Sequence, residues 1–525
     1  MNMRNQWPVL PIVAGLASGL LTGCGTETGN AGGNGSTVVM GMSDDVLATD
    51  PASGYDPGSW LLFNNVFQSL LSFPKGGTEP QPEAARACDF DTSTTVYTCT
   101  LRDGLKFSNG DDLTSEDVKF SFDRMLKIND PAGPAIMFPT LDKVETPDTK
   151  TVVFRLKVPD ATFPSKIASG AGSIVDHRQY DANGLRKDGE AVGSGPYKLD
   201  SFNEDEAVFS VNDQYQGTAK PENSGVTLKF FHGDQTGLKQ ALLDGDVDIA
   251  YRGLTATDIA GLDQGDGSTG AEVVEGSSAE VQHLVFNMKD PVAGKLAVRK
   301  AIAYLIDRDA LIRDVYQGTA SPLYSIIPAG IAGHNTAFFD TYGARPSKDK
   351  AAEALSGGGI TTPVKLTLWS TPARYGPATD AELKAIAGQL NASGLFRADV
   401  KSVPFEQYEK DIEAGKYGVY VKGWIPDYPD ADNFTAPFFG DGNVLGNHYA
   451  NSAITGTLLP ATAAQSDRSA TEKEFGRLQD IVADDLPVLP VWQAKQYAVA
   501  RDNVYGLENC LDASTVFRFW ELKKD

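Results

Sequence analysis

The chain has 525 residues, enough for two or three packed units, because single hydrophobic cores rarely grow past about 250–300 residues. At 41% hydrophobic and 22% charged it has the composition of a globular protein, not of a disordered one. A formal charge of −23 argues against a nucleic-acid partner and against a polybasic grip on anionic lipid, both of which need basic surface, and it favours solubility.

In chain order, the first element is an export signal over residues 1–23. Arg4 is its only charge, and the uncharged run Pro8 to Leu21 is too short to cross a bilayer, which takes roughly 20 apolar residues. The run ends in Leu21-Thr22-Gly23-Cys24, which resembles a lipobox: cleavage before Cys24, then acylation of its sulfur. Each buried methylene adds roughly 0.8 kcal/mol, so two or more acyl chains would hold the protein firmly. Residues 24–37 follow as a Gly-, Asn-, Thr- and Ser-rich tether, whose reach of roughly 20 Å would place a folded body just above a membrane.

From Val38 onward strands and helices mix. Cys88 and Cys99 flank a polar turn, and the spacing predicts a hairpin that sets the two sulfurs opposite each other. A disulfide there contributes roughly 3 kcal/mol on the chain-entropy model, and an exported chain permits it. Cys510 is left over as a buried apolar residue. Thr114 to Asp117 matches a capping box, followed by Val118, Phe122, Met125 and Leu126 at helical spacing. Val152, Phe154, Leu156 and Val158 alternate as in a half-buried strand, and so do Val226, Leu228 and Phe230. Asp244-Gly-Asp246-Val-Asp248 lacks the closing Glu of a calcium loop and reads as a helix-to-strand turn. Further helices are predicted near Val298 to Val315 and over Thr379 to Leu390.

Motifs for catalysis are missing from the sequence. There is no G-x-S-x-G elbow, no HExxH, no phosphate-cradling loop and no dinucleotide fingerprint, and the five histidines stand singly. No cofactor and no metal are expected. One loop stands out, Gly423-Trp424-Ile425-Pro426-Asp427-Tyr428-Pro429-Asp430. It is either an ordinary turn or a site, since a tryptophan face beside a carboxylate suits an ammonium ligand by charge pairing and cation–π attraction.

That loop resembles the ligand loop of the family 5 extracellular solute-binding proteins, the peptide/nickel group that feeds ABC importers. Ordered motifs agree: Asp50-Pro51, then Leu101-Arg102-Asp103-Gly104 through Leu113-Thr114-Ser115-Glu116-Asp117-Val118, then Gly193-Ser194-Gly195-Pro196-Tyr197, then Phe286-Asn287 and Val298-Arg299-Lys300-Ala301-Ile302. The resemblance implies an α/β, two-lobed periplasmic-binding-protein-like clamshell (class II) with an extra domain inserted in the first lobe. Domain I would comprise 38–62, 192–282 and 498–525, domain II 63–191, and domain III 283–497. By the same resemblance Asp427 would pair with a peptide's α-amino group, within a loop contributing Gly423, Trp424 and Tyr428. Arg374-Tyr375 would meet the ligand carboxylate, and Tyr55 and Asp56 would line the cleft. The implied protein is no enzyme. It is a monomeric lipoprotein that binds a short peptide and hands it to a membrane permease. A sugar or metal-chelate binder of the same family, or a secreted hydrolase, remain as alternatives.

Overall fold

Two long strands carry the architecture of the computed structural model, which describes residues 35–263, 270–372 and 374–525. Ala271–Phe286 and Val488–Arg501 run antiparallel, paired from Ala271 with Arg501 to Val285 with Val488. Beyond one end of this pair the sheet continues through Ile249–Tyr251, Val38–Met42, Gly225–Phe230, Glu206–Val211 and Tyr197–Phe202. Beyond the other it continues through Val419–Trp424, Val364–Ser370 and Phe396–Ser402. Ala320–Pro322 adds to Val488–Arg501, making eleven strands.

Burial along Ala271–Phe286 changes character on the way. The first residues are mostly half-buried or exposed, whereas every residue from Val281 to Phe286 is buried. A strand covered on both faces reads as a continuous apolar run, and Leu284-Val285-Phe286 does so. Between the two regimes the register slips, at Ser277/Val281 and again at Gln282/His283. Such bulges bend a strand and re-aim its side chains, and here they fall where the chain passes from one half of the sheet to the other.

The apolar side chains gather into separate cores. One forms around Val38, Leu62, Phe63, Phe209, Leu228 and Phe519, and a second around Val285, Ile302, Leu368, Leu383, Val419 and Leu478. A third lies around Phe107, Phe122, Phe138, Phe154 and Phe163, and a small fourth around Leu238, Leu242 and Val499. The third covers a four-stranded antiparallel sheet of Ala85–Phe90, Val96–Leu101, Thr151–Leu156 and Leu141–Glu145. Cys88 and Cys99 face each other across its first hairpin and are joined by a disulfide. The helix Ser115–Ile128 lies on this sheet and starts as its sequence predicts, with the Thr114 N–H donating to Asp117 Oδ2 at 2.8 Å. Arg124 on that helix makes a fully buried two-pronged bond to Asp50 (2.8 and 2.6 Å), tying the small sheet to the segment that follows the first strand.

Other predicted elements take their places. Asp244 ends a helix, Gly245 caps it at φ 84° as only glycine does cheaply, and the strand Ile249–Tyr251 follows. Thr379–Ala392 is helical, and Cys510 is buried as a free thiol. Two expectations are corrected. The helix expected over Val298 to Val315 is two helices, Leu296–Leu305 and Arg308–Asp314. Ile306 is extended, and Asp307 starts the second helix by accepting the Ala310 N–H at 2.9 Å, so a strong N-cap residue overrides the apolar periodicity. Val158 lies outside the strand Thr151–Leu156 and is 52% exposed. The expected signal and Cys24, and the tether as far as residue 34, lie outside the described residues.

Candidate functional site

Parallel strand groups in each half of the sheet aim the same kind of end at the space between them. Val38–Met42 is parallel to Gly225–Phe230 and Ile249–Tyr251, and Val364–Ser370 is parallel to Phe396–Ser402 and Val419–Trp424. In open α/β sheets ligands bind outside the carboxyl ends of such strands. The segments leaving those ends carry Tyr55, Arg252, Tyr375 and the loop after Trp424.

That loop is built around Asn433. Its Oδ1 accepts from Trp424 Nε1 at 2.8 Å and from the Asp427 N–H at 3.0 Å, while its Nδ2 donates to Asp427 Oδ2 at 3.2 Å. Asn433 itself is buried. One amide therefore sets both the indole and the carboxylate. Asp430 braces the far side of the loop, its carboxylate accepting two bonds of 2.8 Å from Arg468 while its N–H donates to Tyr428 O at 3.0 Å. The Trp424 ring meets Phe438 edge-on at 5.2 Å.

Across from the loop stands Tyr55. Its hydroxyl donates to Asp427 Oδ1 at 2.7 Å, joining the segment after the first strand to the segment after Trp424. Burial pushes the Asp427 carboxyl above its usual range, against the pull of the Tyr55 and Asn433 hydrogen bonds. The same burial, with the Asp427 charge next to it, pushes the Tyr55 phenol up. Two further contacts accompany this bridge: the Ala161 N–H donates to Ala463 O at 2.8 Å, and the Thr94 hydroxyl donates to Ala464 O at 3.1 Å.

The remaining sequence-predicted residues are distributed less evenly. Gly423 lies against Tyr375, and a Cβ added there would sit 3.0 Å from the ring. Arg374 is exposed, with its guanidinium 4.9 Å above the Phe405 ring. Tyr428 points away into the Phe122–Phe154 core and is 5% exposed, so its ring anchors the loop. The Asp56 side chain accepts the Ser59 N–H at 2.8 Å as the N-cap of the helix Pro57–Val66. Sequence reading missed Asn433, because nothing in the spacing of a lone Asn marks it as the hub. It also missed Arg252, Gln282 and Glu382. Arg252 adopts φ 49°, is followed by Gly253, and bonds Asp44 at 2.5 Å on the segment leaving Ile249–Tyr251.

A grouping of Asp117, Asp176 and His177 has metal-like spacing. Its atoms are already engaged: Asp117 with Thr114 and His177, and Asp176 with Arg178 and Asn109. It is read as an internal brace.

Comparison with known proteins agrees with this fold. The model of bacterial extracellular solute-binding proteins, family 5 (middle), matches residues 79–446. The chain is 27% identical over 479 residues to the probable D,D-dipeptide-binding periplasmic protein DdpA of Escherichia coli, covering 88% of this chain and 89% of that one. It is also 27% identical over 537 residues to a dipeptide-binding protein of Pseudomonas aeruginosa, covering 95% and 96%. Heme-binding protein A of Haemophilus influenzae is 25% identical over 470 residues, covering 84% of each. Among solved structures, HbpA2 of Haemophilus parasuis superposes with a TM-score of 0.82 at 21% identity, over 93% of this chain and 100% of that one. DppA of Helicobacter pylori, in complex with the peptide STSA, gives 0.76 at 23%, over 93% and 98%. These structures share the periplasmic-binding-protein fold seen here, with the small sheet as its extra domain. The chain belongs to the bacterial extracellular solute-binding proteins of family 5 and is an extracytoplasmic, non-enzymatic substrate-binding protein of an ABC importer.

Proposed function

We propose that the solute is a short peptide, held by its charged ends between the two halves of the molecule. The carrying observation is the Asp427 carboxylate, which is desolvated, oriented by Asn433 and bonded only to neutral groups among the described residues. A peptide's α-ammonium supplies the cation that this carboxylate lacks, and the Trp424 face beside it adds cation–π attraction. Arg374 is the partner for the peptide carboxylate, because a guanidinium fork matches it with two bonds. Gly423 and Tyr375 would form the wall between them. Tyr55 and the backbone near Asp56 would close the opposite side, and Tyr428 would hold the loop in place.

The separate cores support a division into domain I (38–62, 192–282, 498–525), domain II (63–191) and domain III (283–497), with hinge motion along the two long strands. A permease then reads the closed form. Cys24 would carry the lipid anchor, with the Cys88–Cys99 disulfide fitting an extracytoplasmic setting. We read the protein as a monomer without cofactor or metal. Dipeptide binders among the relatives support the peptide reading.

Calorimetric titration of wild type and Asp427→Asn with free and N-acetylated di- to tripeptides tests it. Leaving a buried charge unpaired costs about 3–5 kcal/mol, so free peptides should bind about 100-fold or more weaker to the variant. N-acetylated peptides should lose less than about threefold. Equal losses for both sets overturn the assignment.

A further inference from the structure

Behind the strand that bears Gly423 lies a buried acidic group that the contacts to peptide termini leave unused. Glu382 sits in the first turn of the helix Thr379–Ala392 and is 0% exposed. Three neutral donors converge on its Oε2: Tyr316 Oη at 2.5 Å, Trp492 Nε1 at 3.1 Å, and Gln282 Nε2. Its other oxygen, Oε1, has no hydrogen-bond partner among the described residues. The same holds for Oε1 of Gln282, a residue that is also 0% exposed. An unpaired buried acceptor costs about 1–3 kcal/mol, and more when charged. Two of them on directly bonded side chains are therefore an unusual thing for a fold to keep unless something meets them.

Their position relates them to the cleft. Gln282 pairs with Gly423 across the sheet. A Cβ at 423 would stand 3.5 Å from Gln282 Oε1 and 3.0 Å from Tyr375 Cδ1. The bare α-carbon of Gly423 therefore leaves the amide oxygen bordered by an aromatic ring, one residue before Trp424 and four before Asp427. Nearby cations are already committed, Lys422 to both oxygens of Glu409 at 2.7 Å and Arg252 to Asp44.

The geometry points to a second recognition subsite, in which Gln282 Oε1 and Glu382 Oε1 accept hydrogens from the ammonium or guanidinium of a basic side chain on the bound peptide. This rests on the peptide reading above and narrows it to peptides carrying a lysine- or arginine-type residue. Glu382 supplies the countercharge and Gln282 the second acceptor. The Tyr375 ring offers a face on which the cation's stem and charge both pack well.

The test compares Lys-Ala and Ala-Lys with their norleucine counterparts by calorimetric titration of the full-length protein. Norleucine keeps the methylene stem and both termini but lacks the ammonium. Wild type should prefer the lysine peptide of at least one pair by about tenfold or more. That ratio should fall below about threefold in Glu382→Gln and rise in Gln282→Glu, so one failure to fold does not remove the test. Equal affinities for lysine and norleucine in wild type, as expected if a water meets the two oxygens, overturn the subsite and leave the peptide reading standing. A ratio unchanged in both variants also overturns it. Failure of every peptide to bind overturns both readings.

Discussion

Single residues near this site are held by burial as much as by partners, and burial acts on their protonation. Burial pushes the Glu382 carboxyl up to about 7, against the bonds from Tyr316, Trp492 and Gln282. Because its folded value lies above the unfolded one, the folded state binds more protons between pH 4.5 and 7, and stability falls as pH rises through that window. Above it the cost reaches about 3 kcal/mol, from about 1.4 kcal/mol per pH unit. Glu382→Gln should therefore raise the thermal midpoint by several degrees at pH 8 and leave it nearly unchanged at pH 4, as read by scanning fluorimetry. A midpoint gain of the same size at both pH values would mean that packing, not charge, is responsible. Asp427 differs in kind. It is also pushed up by burial, but it keeps partners on both oxygens, Tyr55 on one and Asn433 on the other.

Among the elements, the break between Leu296–Leu305 and Arg308–Asp314 shows a local signal defeating a longer pattern. Val298, Ile302, Leu305 and Ile306 continue one apolar face, yet Asp307 stops the helix and starts another. The turn also delivers the Arg308 guanidinium to Pro490 O at 2.8 Å, on one of the two long strands. Asp307→Ala should cost about 1 kcal/mol, the usual size of a lost N-cap, while Asp307→Ser should cost less than half of that. Urea unfolding of both variants measures it, and equal costs would show that the cap is not the cause. Local sequence was a sound guide wherever one residue's chemistry decides an outcome: the capping box at Thr114, the Gly245 stop, and the Cys88–Cys99 hairpin. It failed at Val158, where alternation ran past the point at which the sheet ends.

For the whole molecule the question is what sets the balance between open and shut. Near the site the two sides meet through the Tyr428 ring in the Phe122–Phe154 core, the Ala161–Ala463 and Thr94–Ala464 bonds, and the bond from Tyr55 to Asp427, which is the one of these that involves a carboxylate. Hydrogen bonds to charged groups contribute about 1.5–3 kcal/mol net. Tyr55→Phe should accordingly shift the protein toward the open form before peptide is added, with a larger radius of gyration by small-angle scattering. Under saturating peptide, whose ammonium takes over as donor to Asp427, variant and wild type should give the same radius. Identical radii in both conditions would show that the bond does not govern closure.

The amino-acid sequence by itself pointed to the class of protein, to several of its strands and helices, to the disulfide, and to the loop in which Asp427 and Trp424 would matter. The elements and the disulfide depend on residue type and short-range spacing, which the chain displays directly, and the class and the loop on the resemblance that its ordered motifs carry. Tertiary structure alone decided that Asn433 orients both of those side chains, that Tyr428 faces a core while Tyr55 crosses to the carboxylate, and that Gln282 meets Glu382 behind Gly423. Those pairings join segments up to hundreds of positions apart. They exist because two bulged strands bring opposite strand ends together, and no local pattern encodes that meeting.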